Sequence, residues 1–374
     1  MGGPDTTCGR CVMNAGVAGV QVSPDGTCSY CREYFRRLPM ETLPPESRER
    51  ALDDLVGQIQ EAGRGKAYDA LIGLSGGMDS TYSAYIARTK GLRLLGVHVD
   101  NGYNTELAEE NIHSAAEKLG IEFVIDAPSF EHFRDLQVAF LRASIPNAEI
   151  PTDHVLAATL YKIARERDIR YLINGGNYLT EGPWWPQAFG HFNRDVRCVK
   201  GIHRQFGTMS LRPVPTIGIP KTLYYRYIRG MRIVRILKYV DYTKKAAGRI
   251  LEEETGWKPY PGKHNESIYM RFFQCYVLPK KFGVDKRLKH FSDLISAGQI
   301  TRDEALAELE RDPYETEEML EEDMQYVLTK LELSRDEFEQ IMQLPIRSYR
   351  DYPTNRRLYN AARFLARHGL RIGE

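Results

Sequence analysis

The sequence predicts an α/β protein with a doubly wound parallel sheet, preceded by a four-cysteine module and followed by a helical C-terminal region. Short apolar strands alternate with helical patterns between about residues 66 and 240. Two C-x-x-C pairs stand near the N-terminus, and charged helical patterns dominate after about residue 288. Strands separated by helices favour a parallel sheet covered on both faces, because parallel strands need crossover connections.

Composition narrows the class of protein. The chain has 374 residues, of which 42% are apolar and 27% charged, as is ordinary for a globular protein with two or three domains. Its net charge of +1 gives no overall attraction for nucleic acid, which is therefore not an expected partner. No apolar run reaches about 18 residues, and the first residues lack a hydrophobic signal region. The sequence thus predicts no membrane span and a cytoplasmic location.

The first predicted domain, residues 1–35, is called the cysteine module below. Its ligand candidates are Cys8, Cys11, Cys28 and Cys31. Four thiolates arranged as two C-x-x-C pairs favour tetrahedral zinc, with an iron–sulfur cluster as the alternative. Four sulfur ligands leave no open coordination position, so the predicted zinc is structural. Cys198 and Cys275 stand alone and are expected to be ordinary thiols.

A Pro-rich break at residues 43–45 follows this module and precedes a helical pattern. Residues 36–65 are predicted to be a linker helix, because Leu52, Leu55, Val56 and Ile59 recur at helical spacing. The next predicted domain spans residues 66–240. Residues 241–374 form a last part that combines a segment contacting substrate or pyrophosphate with packing helices.

The elements of the predicted sheet domain follow from its periodicity. Strands are expected at residues 70–74, 94–99, 123–125 and 171–173, and helices at about 80–89, 105–119 and 154–167. In the C-terminal part, Thr301 with Glu304 and Ser334 with Glu337 match capping boxes that begin packing helices.

Residues 75–80, Ser-Gly-Gly-Met-Asp-Ser, follow the first strand directly and are called the glycine loop below. Paired glycines let the backbone approach a ligand closely, and the N-terminus of the following helix favours an anion. The loop therefore predicts a phosphate site. It lacks the lysine of a Walker A loop and the third glycine of a dinucleotide fingerprint, so it supports neither of those folds. The alternative is a plain glycine turn.

Further polar residues follow other strands of the predicted sheet. Asp100 comes after the second strand, and Gly175 and Asn177 come after the fourth. Because the carboxyl ends of parallel strands share one edge, these residues are predicted to surround the same nucleotide as the glycine loop. For Asp100, which begins an Asp-Asn-Gly run, the alternative is a plain turn.

Three other segments contain candidate site residues. Glu181 stands close to the tryptophans Trp184 and Trp185, which suit stacking on a sugar or base, or alternatively form a buried aromatic plug. Residues 256–287 are dense in polar groups that could neutralise pyrophosphate or move protons, or form a solvated, ion-paired loop. Residues 224–245 alternate cations with aromatic and aliphatic residues, which could serve RNA, sugar-linked phosphates or a partner protein, or form a helix covering apolar surface.

Several motifs together resemble the N-acetyl sugar amidotransferase family of PP-loop ATP pyrophosphatases. They are the N-terminal cysteine pairs, SGGMDS, and VHVDNGYNTELAEENI at residues 97–112, then PTDH at 151–154, GGNYLTEG at 175–182, GWKPYPGKHNES at 256–267 and FFQCYVLPKKFGVDKR at 272–287. This resemblance spans nearly the whole chain. It implies a PP-loop ATPase fold and surface-polysaccharide biosynthesis, including the lipopolysaccharide and nonulosonic (pseudaminic) acid branch.

The resemblance also implies a reaction and its participants. The acetamido group of a nucleotide-activated N-acetyl sugar would become an acetamidino group, in a reaction that uses ATP, Mg²⁺ and ammonia. The ammonia would come from partner proteins similar to the glutaminase and cyclase subunits of histidine biosynthesis. Two rivals stay open: a tRNA sulfurtransferase with a PP-loop, and a non-catalytic assembly module that binds a nucleotide.

On this interpretation the candidate residues fall into three groups. The nucleotide would be bound by Leu74, Ser75, Gly76, Gly77, Asp79, Ser80, Asp100, Gly175 and Asn177, with Asp79 holding Mg²⁺. Charge on the departing pyrophosphate would be neutralised by Lys263 with Lys281 or Arg287. Substrate positioning or proton transfer is assigned to Asp153, Glu181, His264 and Glu266, and sugar or base stacking to Trp184 and Trp185.

Overall fold

The computed structural model describes residues 6–183, 193–260, 262 and 265–360. Its sheet has five parallel strands in the order β3-β2-β1-β4-β5. Their bounds are β1 Ala70–Gly73, β2 Leu94–Val99, β3 Glu122–Asp126, β4 Tyr171–Asn174 and β5 Arg232–Arg235. The chain moves outward from β1 to β3 and then returns beside β1 as β4. The predicted parallel sheet is confirmed, and the strand order reverses between β1 and β4.

Sixteen helices are described besides short turns. Those before β5 are α1 Ser29–Glu41, α2 Pro45–Ala62, α3 Met78–Thr89, α4 Glu106–Lys118, α5 Phe130–Arg142, α6 Ile150–Glu166, α7 Tyr178–Glu181, α8 Val196–Phe206 and α9 Ile219–Leu223. Those after it are α10 Lys244–Thr255, α11 Ile268–Phe272, α12 Leu278–Phe282, α13 Lys286–Ser296, α14 Arg302–Leu309, α15 Glu317–Leu331 and α16 Arg335–Gln343. Single π-helical turns lie at Tyr224–Ile228 and Phe273–Val277, and 3₁₀ turns at Ile236–Tyr239 and Tyr349–Asp351.

Both faces of the sheet are covered, as a doubly wound architecture requires. Alternate residues of β1 point to opposite sides, so that Ile72 packs in one core with α2, α3 and α10. Leu71 packs in a second core with α6. In α2 the predicted apolar face is buried against the first of these cores.

The C-terminal region is helical, as predicted. Helices α5, α8, α11, α12, α15 and α16 share a third core. Both predicted capping boxes are present: Thr301 with Glu304 begins α14, and Ser334 with Glu337 begins α16. None of the helices described in the structure is long and apolar enough to cross a membrane.

The basic segment 224–245 differs from a continuous helix. It contains a π-helical turn, the edge strand β5 and a 3₁₀ turn. Two of its cations are paired within the chain, Arg229 with Asp168 at 3.2 Å and Arg235 with Glu41 at 3.0 Å. Exposed apolar side chains accompany them, with Ile228 73% exposed. The segment in which cations alternate with apolar residues thus lies along an exposed edge of the sheet.

Candidate nucleotide site and four-cysteine centre

The glycine loop lies at the carboxyl end of β1 and enters α3. Gly76 has φ +76°, a conformation that favours glycine, and a Cβ there would lie 2.6 Å from the carbonyl oxygen of Ala108. The Gly76 carbonyl accepts hydrogen bonds from Trp257 Nε1 at 2.8 Å and from the Tyr260 hydroxyl at 3.1 Å. These contacts fix the backbone of the loop from outside the sheet.

The hydroxyls of the loop are brought together. Ser75 Oγ and Ser80 Oγ lie 3.1 Å apart, and Ser80 Oγ donates to the Gly77 carbonyl at 2.9 Å. Gly77 is the N-cap of α3, and no side chain caps the helix. A glycine N-cap without a side-chain acceptor leaves N–H groups of the first turn available to an anion. The loop therefore has the donors that a phosphate site requires.

The loop after β4, residues 175–183, is called the β4 loop below and meets the glycine loop directly. A Cβ on Gly175 would lie 2.9 Å from Ser80 N and 3.0 Å from Asp79 C. The strand order reverses between β1 and β4, and ligands of doubly wound sheets bind in the crevice at that point. The structure thus brings together the two glycine pairs that the sequence placed on one sheet edge.

Asp79 lies in the first turn of α3 and is partly exposed. Its carboxylate accepts a hydrogen bond from the hydroxyl of Tyr242, a residue that the sequence interpretation missed. Burial, reinforced by the negative charge of Asp79, raises the pKa of Tyr242 well above its usual range, so the phenol stays a donor. Tyr242 therefore holds the Asp79 carboxylate in place.

Glu266 reaches the glycine loop from the C-terminal part of the chain. A Cβ on Gly77 would lie 2.9 Å from Glu266 Oε1, so only a glycine lets this carboxylate come so close. The segment is anchored there because Thr105 N donates to the Glu266 carbonyl at 3.1 Å. Of the catalytic candidates in residues 256–287, Glu266 is thus placed beside the loop.

A second group of polar residues lies at the start of α6. Glu149 is buried and accepts hydrogen bonds from Gln274 Nε2 at 2.5 Å and Lys286 Nζ at 2.8 Å. Burial, together with the charge of Glu149, raises the pKa of Asp153 to about 6. Glu181 of the β4 loop adds to the same effect, and its Oε2 would be 3.2 Å from a Cβ on Gly176. This acidic cluster of Glu149, Asp153 and Glu181 therefore adjoins the β4 loop.

The side chains of two predicted nucleotide contacts form hydrogen bonds with nearby backbone groups. Asn177 is buried and caps α7, its Oδ1 accepting from Thr180 N at 2.9 Å, so its side chain is committed to the cap. Asp100 does follow β2, but its Oδ1 accepts from Gly102 N at 2.8 Å and closes a turn. For both residues the simpler turn or cap role accounts for the side-chain contacts.

The described contacts of Lys281 and Arg287 lie in the C-terminal region and not at the glycine loop. Lys281 Nζ donates to the Ile341 carbonyl near the end of α16, and burial lowers the lysine pKa to about 8. Arg287 pairs with Asp285 at 2.7 Å and donates to the Arg311 carbonyl at 2.6 Å. Both cations thus join helices of the C-terminal region. Trp184, Trp185, Lys263 and His264 lie outside the described residues.

Several residues of the glycine loop's surroundings and of the adjoining acidic cluster were not predicted from the sequence. They are Tyr242, Trp257, Tyr260, Glu149, Gln274 and Lys286. Trp257 and Tyr260 stand in the GWKPYPGKHNES motif, which was the available signal for a role near the nucleotide. Gln274 and Lys286 stand in the motif at residues 272–287. For Tyr242 and Glu149 no local pattern indicates these contacts, because they depend on tertiary structure.

The four cysteines of the cysteine module converge. Their sulfur atoms all lie within 4.8 Å of one another, with Cys11 to Cys28 at 3.7 Å and Cys8 to Cys31 at 4.0 Å. A tetrahedron with Zn–S distances of about 2.3 Å has S···S distances of about 3.8 Å, whereas a disulfide requires about 2.05 Å. Backbone N–H groups also face the sulfurs, as from Met13 N to Cys11 Sγ at 3.4 Å. The donor set fits a tetrahedral metal ion.

The four converging cysteines predict one bound metal ion per chain. We expect purified protein to contain one zinc ion per chain, and Cys28→Ser to lose most of it because three thiolates close the site poorly. Metal content by mass spectrometry and thermal unfolding check this. Cys275→Ser, at a half-buried thiol outside the cluster, is the control and should retain the metal. Absence of metal from the unmodified protein, or unchanged content in Cys28→Ser, would contradict the assignment.

Comparison with known proteins gives a curated relative and two solved structures. The chain is 23% identical over 238 residues to the probable mitochondrial tRNA-specific 2-thiouridylase 1 of Caenorhabditis elegans, covering 60% of this chain and 57% of that protein. The match therefore spans less than two thirds of the relative's length.

The solved structures are an NMN synthetase from Francisella tularensis and an NH3-dependent NAD synthetase from Campylobacter jejuni. The first has a TM-score of 0.31 and 12% identity over 59% of this chain and 99% of its own. The second has a TM-score of 0.30 and 16% identity over 56% of this chain and 84% of its own. TM-scores this low support no conclusion about the present chain.

The family comparison concerns the C-terminal region. Residues 266–366 match the model for the C-terminal domain of WbpG-like lipopolysaccharide biosynthesis proteins. The matched segment begins at Glu266, the carboxylate that lies against the glycine loop. The resemblance to polysaccharide-biosynthesis proteins is confirmed at this level: over residues 266–366 the chain is similar to the C-terminal domain of WbpG-like lipopolysaccharide biosynthesis proteins.

Proposed function

We propose that this protein is an ATP-dependent amidotransferase acting on a nucleotide-activated N-acetyl sugar. It adenylates the acetamido oxygen and replaces it with nitrogen from ammonia, which gives an acetamidino group and releases AMP and pyrophosphate. One observation carries the proposal: the segment similar to the WbpG-like domain contributes Glu266 to the glycine loop at the sheet's switch point. This closeness supports assigning the acceptor sugar and the phosphates of ATP to one site.

The chemistry explains why such a site needs ATP. An amide carbonyl is a poor electrophile, and its oxygen is a poor leaving group. The amide oxygen therefore first attacks the α-phosphorus of ATP, and pyrophosphate departs. Ammonia then attacks the imidoyl carbon, AMP departs, and a proton is lost from nitrogen. The intermediate is sensitive to water, so the site must exclude solvent while ammonia enters.

The described residues can be assigned to these steps. The N–H groups of the first turn of α3, with the hydroxyls of Ser75 and Ser80, bind the β- and γ-phosphates. Asp79, oriented by Tyr242, would hold Mg²⁺, which would neutralise phosphate charge. We assign positioning of the reacting amide to Glu266, which lies beside the loop. These roles follow from location beside the loop.

The acidic cluster supplies a proton acceptor. Asp153 has a pKa of about 6 and lies near Glu149 and Glu181, next to the β4 loop. A carboxylate with that pKa is a competent base near neutral pH and can take the proton released when ammonia adds. We assign substrate positioning to Glu181, whose carboxylate lies against Gly176.

This assignment predicts a pH dependence. A raised pKa means that Asp153 is protonated below about pH 6, so the rate of the ammonia step should fall as pH drops through that value. The free energy of unfolding changes in the opposite direction to the rate. Because the folded state disfavours the ionised Asp153 carboxylate, the fold loses stability as pH rises through the same region. In Asp153→Asn the rate of the ammonia step should be reduced, and it should no longer fall toward acid pH. An unaltered fall toward acid pH would remove Asp153 from the reaction.

The remaining participants follow from the same proposal. Ammonia is delivered by partner proteins similar to glutaminase and cyclase subunits, zinc occupies the cysteine module, and the reaction takes place in the cytoplasm. A set of nucleotide-linked acetamido sugars, incubated with protein, ATP, Mg²⁺ and ammonium salt, tests the activity. Mass spectrometry should find a product lighter by the difference between O and NH. If every sugar is returned unchanged while ATP is still cleaved to AMP, the acceptor class is wrong.

A second candidate, tRNA thiolation, is favoured by the likeness to the C. elegans thiouridylase. Sulfur transfer of that kind calls for reactive thiols near the nucleotide. Cys198 is buried, and burial raises the pKa of its thiol to about 12, while that of Cys275 is raised to about 11. Neither is a thiolate near neutral pH. Salt-dependent tRNA binding with formation of a thiolated base would reverse this preference.

A further inference from the structure

The cysteine module packs against the nucleotide site through α1. This helix begins directly at the metal site, because Cys28 is its N-cap and Cys31 lies in its first turn. Its buried face carries Tyr30 and Tyr34, whose hydroxyls reach out of the module. Both tyrosines contact the β4 loop, the same segment that meets the glycine loop.

Tyr30 connects the module to the end of the β4 loop. Its hydroxyl donates to Asp293 Oδ1 at 2.5 Å and lies 3.4 Å from the Pro183 carbonyl. Asp293 is fully buried, and its other oxygen accepts from Lys289 Nζ at 2.7 Å. Lys289 Nζ also donates to the Glu181 carbonyl at 2.6 Å. A chain of hydrogen bonds thus runs from α1 through α13 to the backbone of the β4 loop.

Tyr34 forms a second, reciprocal connection. Its hydroxyl donates to the Leu179 carbonyl at 3.1 Å, and the Tyr178 hydroxyl donates to the Tyr34 carbonyl at 3.0 Å. The two rings pack with centroids 5.1 Å apart. The four-residue helix α7, which contains Tyr178 and Glu181, is too short to be stable alone and therefore depends on this packing.

Gly182 of the β4 loop packs closely against α1 and α13. Its φ is +34°, and a Cβ there would lie 2.0 Å from Asp293 Oδ1 and 2.8 Å from the Tyr30 hydroxyl. At the other end of the β4 loop, Gly175 lies against the backbone of Ser80. The loop is therefore held between the cysteine module and the glycine loop, and its position depends on both.

We propose that the cysteine module positions the nucleotide site, with Tyr30 and Tyr34 as positioning residues that hold the β4 loop against the glycine loop. Metal bound by the four cysteines fixes the start of α1 and thereby the two tyrosines. Metal binding and nucleotide binding are then coupled, and the coupling is reciprocal: loss of metal weakens ATP binding, and bound ATP slows loss of metal. This inference depends on nucleotide binding at the glycine loop, but not on the sugar or on ammonia.

Tyr30→Phe tests the connection, because it removes one hydroxyl and leaves the ring. Hydrogen exchange in nucleotide-free protein should become faster in residues 174–183, and ATP should bind about tenfold more weakly, as expected for loss of a bond to a carboxylate. Zinc content should stay at the level of the unmodified protein, which shows that the module is still folded. Tyr34→Phe should act in the same direction at Leu179.

Tyr314→Phe is the matched control. Its hydroxyl likewise donates to a buried carboxylate, Asp323 Oδ2 at 2.9 Å, but between C-terminal segments and not at the β4 loop. It should leave ATP affinity and exchange in 174–183 unchanged. Removal of zinc by a chelator should accelerate the same exchange, and added zinc should reverse it.

Two results would overturn the inference: unchanged exchange in residues 174–183 for Tyr30→Phe and for chelated protein, or the same acceleration in Tyr314→Phe. The exchange measurement needs no nucleotide. If the unmodified protein binds no ATP, the proposed function fails, while the link between metal and loop is still decided by exchange.

Discussion

Replacing Asp79 by alanine should almost abolish ATP–pyrophosphate exchange in the presence of the acceptor sugar. Asp79 is the carboxylate in the first turn of α3, beside the glycine loop, and is oriented by the Tyr242 hydroxyl. Without it, Mg²⁺ would lose the carboxylate that we assign to hold it, and less of the phosphate charge would be compensated. Loss of one electrostatic group of this kind lowers the rate by about 10² to 10³-fold. Exchange of labelled pyrophosphate into ATP measures the effect.

The fold should survive this change, apart from a moderate loss of stability. The Tyr242 hydroxyl is left without its acceptor, which costs about 1–3 kcal/mol for a buried polar group. Asp79→Asn keeps an acceptor for Tyr242 while removing the charge, so it should be nearly as inactive but more stable. Asp54→Asn, on the exposed face of α2, should retain full exchange. Substantial exchange in Asp79→Asn would show that Asp79 does not hold the metal.

Gly175→Ala should weaken ATP binding strongly. The new Cβ would lie 2.9 Å from Ser80 N and 3.0 Å from the Asp79 carbonyl, and these are backbone atoms that cannot turn aside. The first turn of α3 must move away from β4, which displaces the N–H groups and hydroxyls that we assign to phosphate binding. We expect a loss of at least about tenfold in ATP affinity, with overpacking that costs about 1–3 kcal/mol in stability. Calorimetric titration with ATP measures the affinity.

Gly57→Ala provides the control for this substitution. Gly57 lies inside α2, and a Cβ there would meet nothing within 4 Å. Alanine should therefore raise stability by up to about 1 kcal/mol and leave ATP affinity as it was. If Gly175→Ala binds ATP as tightly as Gly57→Ala does, the contact between the two loops is not part of the nucleotide site.

The elements around the glycine loop could be predicted because each depends on a local pattern. A run of apolar residues gives β1, the SGGMDS sequence gives the turn into α3, and β4 ends in a second glycine pair. Parallel pairing then places these strand ends on one edge without further information. The four cysteines are equally local, since two C-x-x-C pairs determine their own geometry.

Residues whose position depends on long-range contacts could not be predicted in this way. Tyr242 reaches Asp79 across 163 positions, and Trp257 reaches Gly76 across 181. Lys281 and Arg287 show the converse, because a dense cluster of charges does not reveal which carbonyl or carboxylate each cation meets. Strand β5 was missed because its sequence RIVR, with a cation at each end, has too few apolar residues for the periodicity to indicate a strand.

The nucleotide product of the reaction tests the central claim most directly. Protein with ATP, Mg²⁺, ammonium salt and a nucleotide-linked acetamido sugar should release AMP and pyrophosphate in equal amounts, because in the proposed reaction the glycine loop binds the outer phosphates while the α-phosphorus is attacked. Chromatography of the nucleotides separates AMP from ADP. Formation of ADP and inorganic phosphate would mean that the γ-phosphorus reacts, and the proposed adenylation would be wrong.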